Sequence, residues 1–171
     1  MAMNTKYTSM VMAVMLSCGS IALSGCSRDG SEYIVGNWQR TAMDWTYSGS
    51  PNPSCNYSNG GPMSELAGAS NLRFVFFENN QGMMIDRWSV SPDENGTDTT
   101  HFTYSINGDG GILSPTTTSE GSTWTTTYTL QDIKRGKMTV YEKTIAENQQ
   151  DPFGDTSPYT RVIEIWHHCE K

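Results

Sequence analysis

The sequence predicts an all-β domain of antiparallel strands, either a barrel or a sandwich. Three observations point there. Eight runs in which bulky and polar residues roughly alternate lie between Ile34 and His168, and strands at this spacing belong to sandwiches and barrels. Most connections are turns, with no room for the long crossovers that parallel strands need. The composition is rich in Thr, Ser, Gly, Tyr and Trp and lacks long Ala/Leu/Glu/Lys stretches, which suits strands.

The first strand is expected from about Ile34 to Tyr47. Ile34, Gly36, Trp38, Arg40 and Ala42 fall on one side, and Val35, Gln39, Thr41, Met43 and Trp45 on the other. Ser48 to Ser70 holds Pro51, Pro53, Cys55, Gly60, Gly61 and Pro62. It reads as a long loop of the functional or mobile kind, with one helical turn at Ser64 to Ala67. Leu72 to Phe77 is a strand, Glu78 to Gly82 a hairpin turn with Asn and Gly for positive φ, and Met83 to Val90 its return. Ser91 to Asp98 reads as a polar loop. Thr100 to Ile106 follows, then a turn at Asn107 to Gly111, then a short strand opened by Ile112 and limited by Pro115. Trp124 to Leu130 alternates, Lys134 to Lys137 turns, and Met138 to Ile145 returns. After a loop from Ala146 to Ser157, Tyr159 to His168 is the eighth strand. Eight strands can close around a packed interior or around one small ligand.

Residues 1–25 have the three parts of a secretory signal: Lys6 without an acid, the apolar run Met10 to Leu16, and small residues before a Cys. That run is far shorter than the roughly 20 residues of a membrane span. Leu23-Ser24-Gly25-Cys26 resembles the lipobox of bacterial lipoproteins. The resemblance implies cleavage before Cys26 and lipid attachment at its thiol. Several acyl chains anchor a protein stably where one does not. Ser27, where Asp would mark inner-membrane retention, implies the outer membrane, facing periplasm or exterior. The expected organisation is a signal over 1–25, a tether over 26–32 and one domain over 33–171.

Removing 25 of 171 residues leaves 146, enough for one domain with a full core. The removed segment carries one Lys and no acid, so the net charge moves from −7 to −8. An acidic domain without a basic stripe does not suit nucleic acid or anionic lipid surfaces. With Cys18 removed and Cys26 lipidated, Cys55 and Cys169 remain. They are expected to pair in an oxidising envelope, closing a loop worth about 4–5 kcal/mol.

Four features together resemble the lipocalin-like domains of bacterial lipoproteins. Gly36-Asn37-Trp38 matches their Gly-x-Trp. Leu72 to Phe76 with Asn80-Gln81-Gly82 matches an apolar strand and its turn. Phe102 to Ile106 with the Gly-rich turn and Ile112-Leu113 matches the middle hairpin. Tyr128-Thr129-Leu130, Lys137 to Val140 and Tyr159-Thr160-Arg161 match the last strands. The resemblance spans nearly all of 33–168 and implies an eight-stranded up-and-down barrel, with Gly36 and Trp38 structural. It also implies an Arg covering the tryptophan from the end of the last strand. Here Arg161 stands near the start of that strand, and antiparallel pairing places Trp38 nearer Trp166.

Candidate chemistry is sparse. His167-His168-Cys169 suggests a metal, but neighbours on a strand face opposite ways. Asp93, Asn95 and Asp98 suit a turn better than a Ca²⁺ loop. No nucleophile elbow, phosphate loop or zinc-protease motif is present, so neither an enzyme nor a cofactor is expected. Phe74, Phe76, Phe102, Tyr104, Trp124 and Tyr128 occupy the bulky sides of three strands. They fill the core, or some of them line an open barrel mouth and bind a small, partly apolar ligand. The alternative function is an interaction module of an outer-membrane complex, working through its two long loops.

Overall fold

The structure, a computed structural model, describes residues 30–66, 70–91, 94–116, 124–150 and 158–171. The expected signal, Cys26 and Ser27 to Asp29 lie outside the described residues. So do Ala67 and Asp93.

The order is α1 (Ser31–Ile34), β1 (Gly36–Ser48), a 3₁₀ turn (Pro53–Cys55), β2 (Tyr57–Pro62), β3 (Asn71–Phe76), β4 (Gln81–Ser91), β5 (Glu94–Asn107), β6 (Gly110–Pro115), β7 (Trp124–Lys134), β8 (Lys137–Gln149) and β9 (Tyr159–Glu170). Strands β1 and β3 to β9 form an all-antiparallel barrel, closed where β9 pairs with β1. A sandwich is thereby excluded. The ninth strand is β2, which runs along β1 beyond the short β1–β3 ladder of Gly36 to Gln39.

The expected loop from Ser48 to Ser70 is therefore partly strand. Its Ser-Asn-Gly-Gly-Pro composition disfavours one, but β1 offers a ready edge, from Ala42 opposite Pro62 to Tyr47 opposite Tyr57. The helical turn expected at Ser64 to Ala67 is instead a pair of hydrogen-bonded turns, Glu65 N–H to Pro62 O and Leu66 N–H to Met63 O. Ser91 to Asp98 is mostly strand, because β4 and β5 stay paired out to Ser91 opposite Glu94. Strand β8 likewise runs on to Gln149.

One end of the barrel is plugged. Helix α1 lies across it, with Gly30 N–H bonded to Gly108 O at 2.6 Å and Ile34 buried. Trp38 is completely buried and donates from Nε1 to Ile34 O at 2.6 Å. Around it pack Phe74, Phe76, Phe102, Leu113, Leu130, Ile133, Met138, Val140 and Cys169. Phe76 meets Phe102 and Tyr104 edge-on, at 5.2 and 5.0 Å between ring centroids, a favoured aromatic geometry. A side chain at Gly82 would strike the Phe102 ring. Each large side chain here contributes about 1.5–3 kcal/mol by leaving water.

The cation over Trp38 is neither Arg161 nor near Trp166. Gln39 pairs with Glu170 and Asp44 with Trp166, so Lys171 follows on beside Trp38. Its Nζ sits 5.0 Å from the ring centroid. Gly36, at φ +130°, adopts backbone that side chains disfavour, and a Cβ there would stand 3.3 Å from Lys171 Cε.

Cys55 and Cys169 are not bridged; both are free thiols. Cys169 pairs with Arg40, whereas Cys55 lies two residues before Tyr57, the partner of Tyr47. Seven strand steps between Arg40 and Tyr47 separate them by roughly 23 Å, and a disulfide tolerates no more than about 7 Å between Cα atoms. The connection does not fold back far enough.

Candidate functional site

The barrel interior changes character half-way along. A bulge in β1 starts the change: the register slips between Arg40 and Ala42, leaving Thr41 as the extra residue. Before it, Trp38 and Arg40 face inward. After it, Met43, Trp45 and Tyr47 do, opposite His167, Ile165 and Ile163 of the inward row of β9. Strict alternation over β1 had placed Met43 and Trp45 on the other side.

Above the plug lies a polar floor. Arg40 is only 6% exposed. Its Nη2 donates to Ser70 O and, at 3.2 Å, to Ser70 Oγ. Its Nη1 lies 3.3 Å from His167 Nδ1 and 3.4 Å from Met43 Sδ. A guanidinium only donates, so His167 Nδ1 accepts from it. His167 Nε2–H then donates to Glu142 Oε2 at 3.0 Å. Burial pushes the Arg40 pKa down, and Asp86, Cys169 and Glu142 pull it back. Two buried atoms here have no hydrogen-bond partner, Arg40 Nε and Asp86 Oδ1. Such atoms are uncommon in folded interiors.

Beyond the floor most inward residues keep partial exposure, while Thr144 and Ala146 of β8 are buried. Asp86 lies opposite Leu72 on one side and Asp98 on the other. Trp88 lies opposite Gly96, where a Cβ would come within 2.4 Å of the indole, so only glycine lets the ring lie flat. Its Nε1 donates to Asp98 Oδ2 at 2.9 Å. Across the barrel, Tyr128 faces Glu142, and Thr126 bonds Thr144 at 2.9 Å. Burial and Glu142 hold the Tyr128 phenol well above its usual pKa. At the rim Tyr47 stacks on Tyr57 at 4.9 Å, and the Arg161 guanidinium stands 6.0 Å from the Tyr47 ring. Arg161 thus serves the open end.

The six aromatic candidates divide. Phe74, Phe76, Phe102 and Tyr104 belong to the packed plug, because β3 and the second half of β5 line its level. All four are buried, and Tyr104 also borders a pocket beside α1 with Ile34, Glu78 and Asn80. Tyr128 borders the open half and Trp124, 54% exposed, stands at its edge.

No family model matches this chain. No curated protein matches it in sequence either. What the site can do therefore rests on its own geometry.

The two histidines do face opposite ways. His167 points into the barrel, and His168 points out, 2.9 Å from Asp44 Oδ2 and 3.4 Å from Thr139 Oγ1. Among the described residues no three His, Cys, Asp or Glu side chains are grouped as a metal would need. Both ring nitrogens of His167 are engaged and the residue is 2% exposed, so it offers no free nitrogen to a substrate.

Sequence reasoning missed Arg40, Asp86 and Glu142, and with them Trp45, Tyr47 and Trp88. A signal was present. Each of the three charges follows an apolar stretch of its inward row: Arg40 after Trp38, Asp86 after Met84, Glu142 after Met138 and Val140. The aromatic trio depends on the bulge and on Gly96, which only pairing reveals.

Proposed function

We propose that this is a lipid-anchored protein of the outer membrane that binds a small, partly apolar ligand in the open half of its barrel, without catalysis. The reading keeps the lipocalin resemblance for the fold and the lipobox resemblance for the anchor. One observation carries the binding: below the floor the interior is filled, while above it the inward residues Trp45, Tyr47, Asp86, Trp88 and Tyr128 remain partly exposed. Ligand sites combine apolar and aromatic walls with a few aimed polar groups. The unpartnered Asp86 Oδ1 and Arg40 Nε are such groups. The engaged nitrogens of His167 support a binding role over a chemical one. No described helix is long and apolar enough to cross a membrane, so the anchor would come from acylated Cys26.

The test is a titration of the mature protein with N-phenyl-1-naphthylamine, an apolar fluorescent amine. Saturable enhancement that Trp45→Ala weakens about tenfold, the range of one lost aromatic contact, supports the reading. No enhancement, together with native mass spectra free of co-purified small molecules, refutes it.

A second reading has one specific observation behind it. Among the described residues strand β2 pairs with β1 alone, and it is largely exposed. A strand edge of this kind can accept a strand from another protein. Met63 N–H bonds Thr41 O, so the amides of Ser58 and Gly60 face away from β1. An interaction module would then work through β2, and Ser58→Pro would abolish partner capture while leaving dye binding intact.

A further inference from the structure

We infer that the plugged end of the barrel docks on the surface of a phospholipid bilayer and that the open mouth points away from it. This rests on acylation of Cys26, part of the function proposed above.

The argument begins with length. Only residues 27–29 separate Cys26 from Gly30. Gly30 is buried and held to the β5–β6 turn by its bond to Gly108 O. Four Cα steps reach at most about 14 Å. The barrel is far taller: the 12 residues of β9, tilted as barrel strands are, rise roughly 30 Å. An anchor at Cys26 therefore keeps the plugged end at the membrane and holds the mouth one barrel height away.

The surface at that end suits the task. Three of the five exposed large hydrophobic residues among those described are there: Val35, Phe77 and Ile112, at 37, 39 and 59% exposure. Val35 and Phe77 stand one step beyond the Gly36–Phe76 rung. Ile112 faces outward opposite Ser105, close to the β5–β6 turn. Two lysines of the same end are matched by acids, Lys134 with Asp132 at 3.4 Å and Lys137 with Glu170 at 3.2 Å; Lys171 lies over the Trp38 ring, and Arg135 is exposed in the β7–β8 turn. With an acidic chain overall, contact with lipid is apolar and needs no anionic headgroup. Immersed side chains of this kind reach about 5–10 Å into the headgroup boundary.

The experiment uses the chain from Cys26 onward with Cys55→Ser, and Cys26 coupled to a maleimide lipid in phosphatidylcholine vesicles. A fluorophore is placed in turn at Phe77→Cys, Thr99→Cys and Thr125→Cys, all exposed positions, at the plugged end, the mid-wall and the mouth. Cys26 is held as its N-terminal thiazolidine while the reporter cysteine is labelled, then released with methoxyamine and coupled to the lipid; buried Cys169 is checked for labelling by mass. Quenching by spin-labelled lipid at position 77 should exceed that at 125 at least about threefold, with 99 between, given the reach of an immersed contact. Equal quenching at 77 and 99 means the barrel lies on its side and overturns the docking. Stronger quenching at 125 overturns it as well, and so does none at any site. The mass of the native mature protein tests the anchor separately. Without acyl chains on Cys26 the anchoring falls whatever the vesicles show. With them, only the vesicle result decides the docking.

Discussion

Arg40→Met tests whether the interior floor is a connected charge network. The substitution keeps an unbranched apolar stem but removes the guanidinium of a side chain that is 6% exposed. Three acceptors lose their donor: Ser70 O, Ser70 Oγ and His167 Nδ1. Each buried orphan costs about 1–3 kcal/mol. Asp86 and Glu142 also lose the charge that offsets them, and breaking a buried charge pairing by removing one member costs about 3–5 kcal/mol. These costs overlap. Met recovers part of them, because it eliminates the unpartnered Nε. The expected net loss is about 3 kcal/mol, read from urea unfolding followed by circular dichroism at pH 7. Glu142→Gln in the same background should cost less than it does alone, by about 1 kcal/mol or more of coupling. A single-variant loss under about 0.5 kcal/mol, or strictly additive losses, would refute the network.

Three further outcomes are expected. Trp38→Ala should destabilise by about 3–5 kcal/mol, as truncation of a buried Trp does; Lys171→Ala, which removes only the cation over the ring, should cost no more than about 1 kcal/mol, both by thermal denaturation. Burial pushes the Cys169 thiol up to about 12, and burial with the Glu164 bond takes the Tyr141 phenol to about 12. Both raised values favour the protonated native form, so stability is whole below about pH 9 and declines as pH rises toward 12; urea midpoints flat from pH 8 to 11 would contradict this, while Cys55 alone should react with a thiol reagent at pH 8. Gly96→Ala should push the Trp88 indole off its seat and break the bond to Asp98, seen as a red-shifted tryptophan emission with a loss of about 1–3 kcal/mol from overpacking.

Most of the barrel was legible because its strands keep the period-two pattern that one buried face demands. Phe74 and Phe76 read as one bulky side of their strand, and both are buried. Strand β2 was not legible: a Ser-Asn-Gly-Gly-Pro run has no strand preference of its own and pairs only because β1 has an edge to offer. The phase slip at Thr41 was hidden for a related reason, since a bulge conserves composition while exchanging faces. Lys171 escaped notice because the register of β9 against β1 runs further than the apolar pattern, carrying Glu170 opposite Gln39. The open half was the least legible part. Its walls come from β1, β4, β5, β7, β8 and β9, which meet only on closure, and four of the aromatic residues that looked available are spent in the plug.

The seam between β1 and β9 has a consequence for how the chain comes to be folded. It joins residues 39–48 to residues 162–170, the two extremes of the domain. Contacts this distant in sequence slow folding to the millisecond-to-second range. Until the C-terminal strand is in place, two naked borders stay open to pairing with other chains, and the Arg40 guanidinium waits without its imidazole. A chain stopped at residue 158 would hold seven barrel strands and no barrel, so closure is decided by the final dozen residues.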